Sequence, residues 1–115
     1  VVFISSVYGV VGSAANAGYA MSKAALHGIT KALSIELAAK GIRVNCIAPG
    51  FVNTKMLDVT SDMFDSHYAD TLNKLHPLGI GEPEDISYSI AFLLSDASKW
   101  ITGAIFNIDG GYTAQ

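Results

Sequence analysis

The sequence predicts an α/β fold, half of a doubly wound parallel sheet, and three observations carry that reading. Short β-branched apolar runs alternate with stretches of helical pattern. The longest helical stretch carries one apolar stripe, at Leu26, Ile29, Leu33 and Leu37. The apolar runs end in turn residues, Ser5-Ser6, Pro49-Gly50 and Asp109-Gly110-Gly111. Strands that alternate with helices pair in parallel, through crossovers expected to be right-handed.

Each element follows from its own residues. Val1–Ile4 is a continuous apolar run, as in a strand covered on both faces. Residues 5–17 form a loop broken by Gly9, Gly12 and Asn16. A helix runs from Gly18 to about Ala39, and Gly41 fits its C-terminal stop. Ile42–Ala48 is a second buried strand, ended by Pro49-Gly50. Residues 51–81 are mixed, with a short helix near Ser61–Lys74. Pro83 opens the next helix, and Glu82, Glu84 and Asp85 favour its N-terminus. That helix reaches about Ser95, and Gly103–Ile108 is the third strand. Crossovers of one hand, moving one way across a sheet, set both helices on one face. The opposite face and the outer edge of the first strand are then expected to be open, which invites association.

Composition narrows the function classes. One domain is expected over 115 residues, half of them hydrophobic and 15% charged. A net charge of −3 with scattered basic residues excludes a nucleic-acid-binding patch. No apolar run approaches the length of a membrane span. The single cysteine, Cys46, lies in an apolar run and reads as a buried thiol of a reducing, cytoplasmic compartment. The chain opens on Val1 inside a strand-like run, as a fragment lacking its preceding half would.

Tyr19 and Lys23 stand four residues apart at the start of the long helix, so they share a face. An ammonium about 5 Å from a phenolic oxygen, at an effective dielectric near 20, favours the phenolate by roughly 3 kcal/mol. That eases proton exchange near neutral pH, and the positive helix end acts in the same direction. Ser6 ends the first strand, where ligands of open parallel sheets bind. The following helix runs back, so Ser6, Tyr19 and Lys23 can converge. A lone Y-x-x-x-K recurs by chance, and serines at strand ends are commonly turn formers. The combination of SSxxG, YxxSK and a strand ending NxxxPG is far more specific.

On those residues the chain resembles the C-terminal half of a short-chain dehydrogenase/reductase. The likeness is carried by Ser5-Ser6-Val7-Tyr8-Gly9, Tyr19-Ala20-Met21-Ser22-Lys23, Arg43 to Gly50, Thr54, and the tail from Ile101-Thr102-Gly103 to Asp109-Gly110-Gly111. The resemblance implies the C-terminal portion of a Rossmann-type fold and hydride transfer between NAD or NADP and an alcohol–carbonyl pair, NADP being slightly favoured. It implies that Tyr19 exchanges the proton, that Lys23 eases its ionisation and binds the nicotinamide ribose, and that Ser6 positions the substrate oxygen. It places Tyr19, Lys23, Pro49, Gly50, Val52 and Thr54 at the cofactor, with the Val52 amide on the carboxamide. It implies a small-molecule substrate and a full-length dimer or tetramer.

The departures are equally informative. No strand–GxxxGxG–helix is present, and Gly79-Ile80-Gly81 running into Glu82-Pro83-Glu84-Asp85 has neither the spacing nor the charge of a phosphate cradle. The family's active-site asparagine precedes the serine strand and is absent too. Met56, Leu57, Met63, Phe64 and Tyr68 read either as an apolar lid, made acidic by Asp58, Asp62, Asp65 and Asp70, or as an ordinary surface helix. His27, His67 and His76 lack partners at metal-ligand spacing, so no metal site is expected. His27 and Lys31 fall off the apolar stripe, facing solvent or a subunit contact, and Trp100 is expected to pack near the last strand. Two further readings stay open: a non-catalytic product that associates with full-length relatives, and a related epimerase or dehydratase, disfavoured by the SSxxG and PGxxxT context.

Overall fold

The computed structural model describes residues 1–57 and 66–115. Strands β1 (Val2–Ile4), β2 (Asn45–Pro49) and β3 (Ile105–Ile108) form one parallel sheet in the order β1-β2-β3. Helix α1 (Ala17–Glu36) joins β1 to β2, while α2 (Ser66–Leu75) and α3 (Pro83–Leu94) lie between β2 and β3. The expected α/β class and element order are what form. The sequence-predicted helix near Ser61–Lys74 is seen from Ser66 onward; residues 61–65 lie outside the described residues.

The element ends follow local chemistry. A short 3₁₀ turn at Ala38–Lys40 ends the long helix, and Gly41 closes it at φ 69°. Pro83 stands in the first turn of α3, where its missing N–H costs nothing. The Asp85 carboxylate reaches back to the Glu82 N–H at 2.8 Å, satisfying a donor that the helix leaves free.

The core is built on β2. Val44, Cys46, Ile47 and Ala48 are fully buried, since β2 has a neighbour on each side and a helix on each face. Strand alternation divides the faces. Cys46, level with Phe3 and Ile105, is held against Thr30 of α1. On the other face Phe106, level with Ile47, lines one cavity with Ile108 and with Tyr88, Ser89, Phe92 and Leu93 of α3. The helices therefore lie on opposite faces, and the expectation of one bare face is corrected. Both crossovers step the same way across the sheet, so helices on opposite faces require crossovers of opposite hand. One of them departs from the right-handed rule.

The face of α1 is also corrected. Thr30 and Ser34, not the leucines, are the buried residues of this helix. Leu26, Leu33 and Leu37 flank them at partial burial, and Ile29 is 47% exposed. Small side chains let the helix approach the sheet closely. Their hydroxyls are satisfied within the helix, Thr30 donating to the Leu26 carbonyl at 2.6 Å and Ser34 to that of Lys31 at 2.8 Å. Trp100, expected to pack, is instead 97% exposed. β1 and β3 are both edge strands paired with β2 alone, and at the β1 edge Val1 and Ile4 are exposed.

Asn45 splices β2 to the segment before β3. It is 1% exposed, donates to the Ile101 carbonyl at 2.9 Å and accepts from the Ala104 N–H at 3.1 Å. Asn45→Leu keeps the branched shape, leaves the Ala104 N–H unpaired and leaves the Ile101 carbonyl only its longer bond from Arg43 at 3.3 Å. It should lower the unfolding free energy by about 1–3 kcal/mol, read as a lower urea midpoint at unchanged slope. An unmoved midpoint would show that these bonds add nothing.

Candidate active site

The end of β1 and the first turns of α1 are tied together by three contacts. The Ser5 hydroxyl donates to the Lys23 carbonyl at 2.8 Å. The Lys23 ammonium donates to the Ile4 carbonyl at 3.1 Å. Gly9 lies so close to the helix backbone that an added Cβ would stand 2.9 Å from the Lys23 carbonyl carbon and 2.8 Å from Ser5 Oγ. Lys23 is thus held from both sides, and the long helix starts beside the carboxyl end of β1.

Tyr19 is the third residue of α1 and 43% exposed. The ammonium of Lys23 lies 5.6 Å from the centre of its ring. The sequence reading set that charge beside the phenolic oxygen; the structure docks it on Ile4 and over the ring, the favourable side of the aromatic quadrupole. Asn16 precedes α1 but turns its side chain back to Ser13 and Ala14, so no side chain caps the first-turn amides. Ser6 sits at the start of the 3₁₀ turn Val7–Gly9, 9% exposed, and accepts from the Tyr8 N–H at 3.2 Å. Ser6, Tyr19 and Lys23 therefore share one edge of the sheet.

The other expected site residues leave β2 at the same edge. Pro49 is the last residue of β2, paired with Ile108. The Gly50 N–H donates to the Ile108 carbonyl at 2.9 Å. No side chain fits at Gly50, where a Cβ would lie 2.8 Å from Asp109 Cα and 3.0 Å from His76 Nε2. Val52 forms an isolated parallel bridge with Gly81. That bridge uses the amides of Asn53 and Gly81 and not the amide of Val52. Thr54 is exposed, its hydroxyl 3.4 Å from the Val52 carbonyl. Of the apolar-lid residues, Met56 is 75% exposed, Leu57 and Tyr68 are half-buried, and Met63 and Phe64 lie outside the described residues. Asp58, Asp62 and Asp65 lie outside them too, whereas Asp70 is exposed.

Behind that turn stands a ring cluster. Phe51 meets His76 edge-on at 5.5 Å and Tyr8 edge-on at 5.9 Å, and Tyr112 lies 4.9 Å from His76. Burial, with the hydrogen bond and charge of Tyr8, pushes Tyr112 up to about 12. Burial raises Tyr68 as well. Burial pulls Asp109 upward, but bonds from the Thr113 hydroxyl and from the Thr113 and Gly111 amides outweigh it and lower its pKa. A carboxylate so held adds stability above its unfolded pKa and loses it as pH falls through the lowered value. Burial raises the Cys46 thiol, which suits an inert core residue. His27 is half-buried, not solvent-facing; burial and then Lys31 lower its pKa, and its Nε2 has no partner among the described residues. No cluster of metal-ligating side chains exists among the described residues. None of the described helices is long and apolar enough to cross a membrane.

A family model described as Enoyl-(Acyl carrier protein) reductase matches residues 1–113. The chain belongs to the short-chain dehydrogenase/reductase family. It is 45% identical to the 3-oxoacyl-[acyl-carrier-protein] reductase of Chlamydia trachomatis over 112 residues, 96% of this chain and 44% of that protein. A 4-hydroxyisoleucine dehydrogenase complexed with NADH matches at TM-score 0.92 and 36% identity, over 99% of this chain and 46% of its own. ElxO with NADP bound matches at TM-score 0.87 and 36% identity, over the same shares. The chain thus spans less than half the length of these relatives.

Sequence reasoning missed Ser5, Gly9, His76 and Asp109. The first two stand inside the quoted SSxxG motif, whose anchoring serine is the neighbour of the one singled out. His76 had no signal, because its partner Phe51 lies 25 positions away. Gly9→Ala should push the 3₁₀ turn off α1 and cost about 1–3 kcal/mol, as overpacking against backbone does. Urea unfolding of the variant checks it; wild-type stability would show that the turn shifts freely.

Proposed function

We propose that this chain carries the proton-transfer side of an NAD(P)-dependent oxidoreductase that interconverts an alcohol and a carbonyl in a small molecule. The observation that carries the reading is the docking of Lys23 between the end of β1 and the ring of Tyr19. A phenol that can exchange its proton stands exposed at the ligand-binding edge, with a fixed cation beside it. The family membership supports the same assignment, and structural relatives are known with NADH or with NADP.

Tyr19 donates a proton to the carbonyl oxygen in reduction and takes it from the alcohol in oxidation. Lys23 stabilises the phenolate that remains and offers donors to the nicotinamide ribose. Ser6, fixed by the Tyr8 amide, offers its hydroxyl proton to the substrate oxygen. A nicotinamide cofactor, when bound, supplies or accepts the hydride. The residues after β2 fit its nicotinamide end: Gly50 lets the turn pack closely on Asp109 and His76, and the Val52 amide is left out of the bridge to Gly81. Pro49 and Thr54 border that surface. Nothing in this chain offers the glycine-lined helix N-terminus that a pyrophosphate needs. In the full-length enzyme a dimer or tetramer and a cytoplasmic location are expected.

Two experiments test this. Tyr19→Phe in the full-length enzyme should cut kcat by about 10²–10⁴ with the fold intact by circular dichroism. Retention of more than about a tenth of the wild-type kcat would remove Tyr19 from this role. The 115 residues alone should bind neither NADH nor NADPH tightly, since most dinucleotide contacts need the phosphate-binding element. Low-micromolar affinity in a calorimetric titration would show that element to be dispensable.

A further inference from the structure

His76 is 1% exposed, and neither of its ring nitrogens is used by the mechanism above. Nδ1 lies 2.7 Å from the Leu72 carbonyl, which can only accept. Nε2 lies 3.2 Å from the Phe51 N–H, which can only donate. The proton is therefore on Nδ1, and the ring is a neutral imidazole bridging the end of α2 to the turn after β2. Phe51 packs edge-on against one side, and Tyr112 covers the ring at 4.9 Å. The nearest carboxylate, Asp109, is engaged by Thr113 and Gly111. The same Nε2 stands where a Cβ on Gly50 would be, so the imidazole bears directly on the Gly50–Phe51 peptide.

We infer that His76 is a positioning residue for the nicotinamide-binding turn, holding the Gly50–Phe51 peptide so that the next amide, Val52, faces the cofactor. This rests on the oxidoreductase reading above. The turn has few other restraints on this side. Gly50 is bound to Ile108 through its N–H, and Phe51 to Gly81 through its carbonyl. The Phe51 N–H is the one donor between them, and His76 is its acceptor. Losing that acceptor frees the Gly50–Phe51 peptide and leaves the following peptide, which carries the Val52 N–H, held only through the Phe51 carbonyl on Gly81.

The test is carried out on the full-length enzyme with His76→Leu, which removes both bonds, and His76→Gln, whose side-chain carbonyl can replace Nε2 as acceptor. Affinities for NADH, NADPH and ADP-ribose are measured by calorimetry, beside the thermal melt of each protein. ADP-ribose lacks only the nicotinamide ring and reports the adenine, phosphate and ribose contacts. His76→Leu should weaken binding of the preferred dinucleotide about tenfold, the size of one lost hydrogen bond, and leave ADP-ribose unchanged. His76→Gln should restore most of that loss. Equal weakening of dinucleotide and ADP-ribose, or unchanged dinucleotide affinity in both variants, would overturn the inference. Should His76→Leu fail to fold, His76→Asn, whose shorter side chain leaves the Phe51 N–H without its acceptor, takes its place: a fall in dinucleotide affinity with ADP-ribose binding held supports the inference, and equal change or no change in the two overturns it. A wild-type enzyme that binds neither dinucleotide would refute the oxidoreductase reading itself, a different result from either.

Discussion

The contact on which the site depends is the docking of one lysine on the end of a strand. Lys23 gives its ammonium to the Ile4 carbonyl while its own carbonyl takes the Ser5 hydroxyl. The two bonds run in opposite directions between the same pieces of chain, so α1 can neither slide nor turn against β1 without breaking one. Gly9 removes the remaining freedom by bringing the 3₁₀ turn onto the helix backbone. Tyr19 then inherits its place from Lys23, one turn away on the same face. A long cationic side chain would otherwise lose about 2 kcal/mol of rotamer freedom on being fixed. The end of β1 offers it a carbonyl that no strand pairs, because β1 has no neighbour on that side.

The turn after β2 is held by a second clamp. Gly50 is bonded to Ile108 at the end of β3, Phe51 is bonded to His76, and Asn53 is bonded to Gly81. Each restraint comes from a different element of the β2–β3 connection or from β3 itself. Ser6, Tyr19 and Lys23 hang on β1 and α1, whereas the turn after Pro49 hangs on β2, β3 and the end of α2. β2, paired on both sides, joins the two, and the Tyr8 ring bridges them at Phe51.

The fold class, the element order and the residues at the sheet edge were legible in the sequence because each rests on local pattern: apolar runs, turn residues, a Pro in a first turn, Tyr and Lys one turn apart. What was not legible rests on distant pairings. The buried face of α1 was misread because leucines outrank Thr30 and Ser34 in hydrophobicity, yet these small hydroxyls satisfy themselves within the helix and admit the sheet. The hand of one crossover was misread because the rule that governs it is statistical. His76 looked featureless, since a histidine that serves a backbone amide has no spacing rule. Trp100 was assigned to packing by size alone and stands in solvent.

The five tyrosines sit in environments that differ in access and in nearby charge. Tyr112 is pushed up to about 12 by burial and by Tyr8, and burial also raises Tyr68, so both remain phenols across any physiological range. Tyr8 is packed between the rings of Phe51 and Tyr112 and serves the cluster that backs the cofactor turn. Tyr88 faces outward from α3, 73% exposed, away from every other functional side chain of the sheet edge. Tyr19 alone combines access with a fixed ammonium, which lies 5.6 Å from its ring and is itself held by Ile4. A cation bound to a neutral carbonyl keeps its full charge, whereas one paired with a carboxylate would be largely neutralised. The docking that locates Lys23 therefore leaves its charge unneutralised beside the Tyr19 ring.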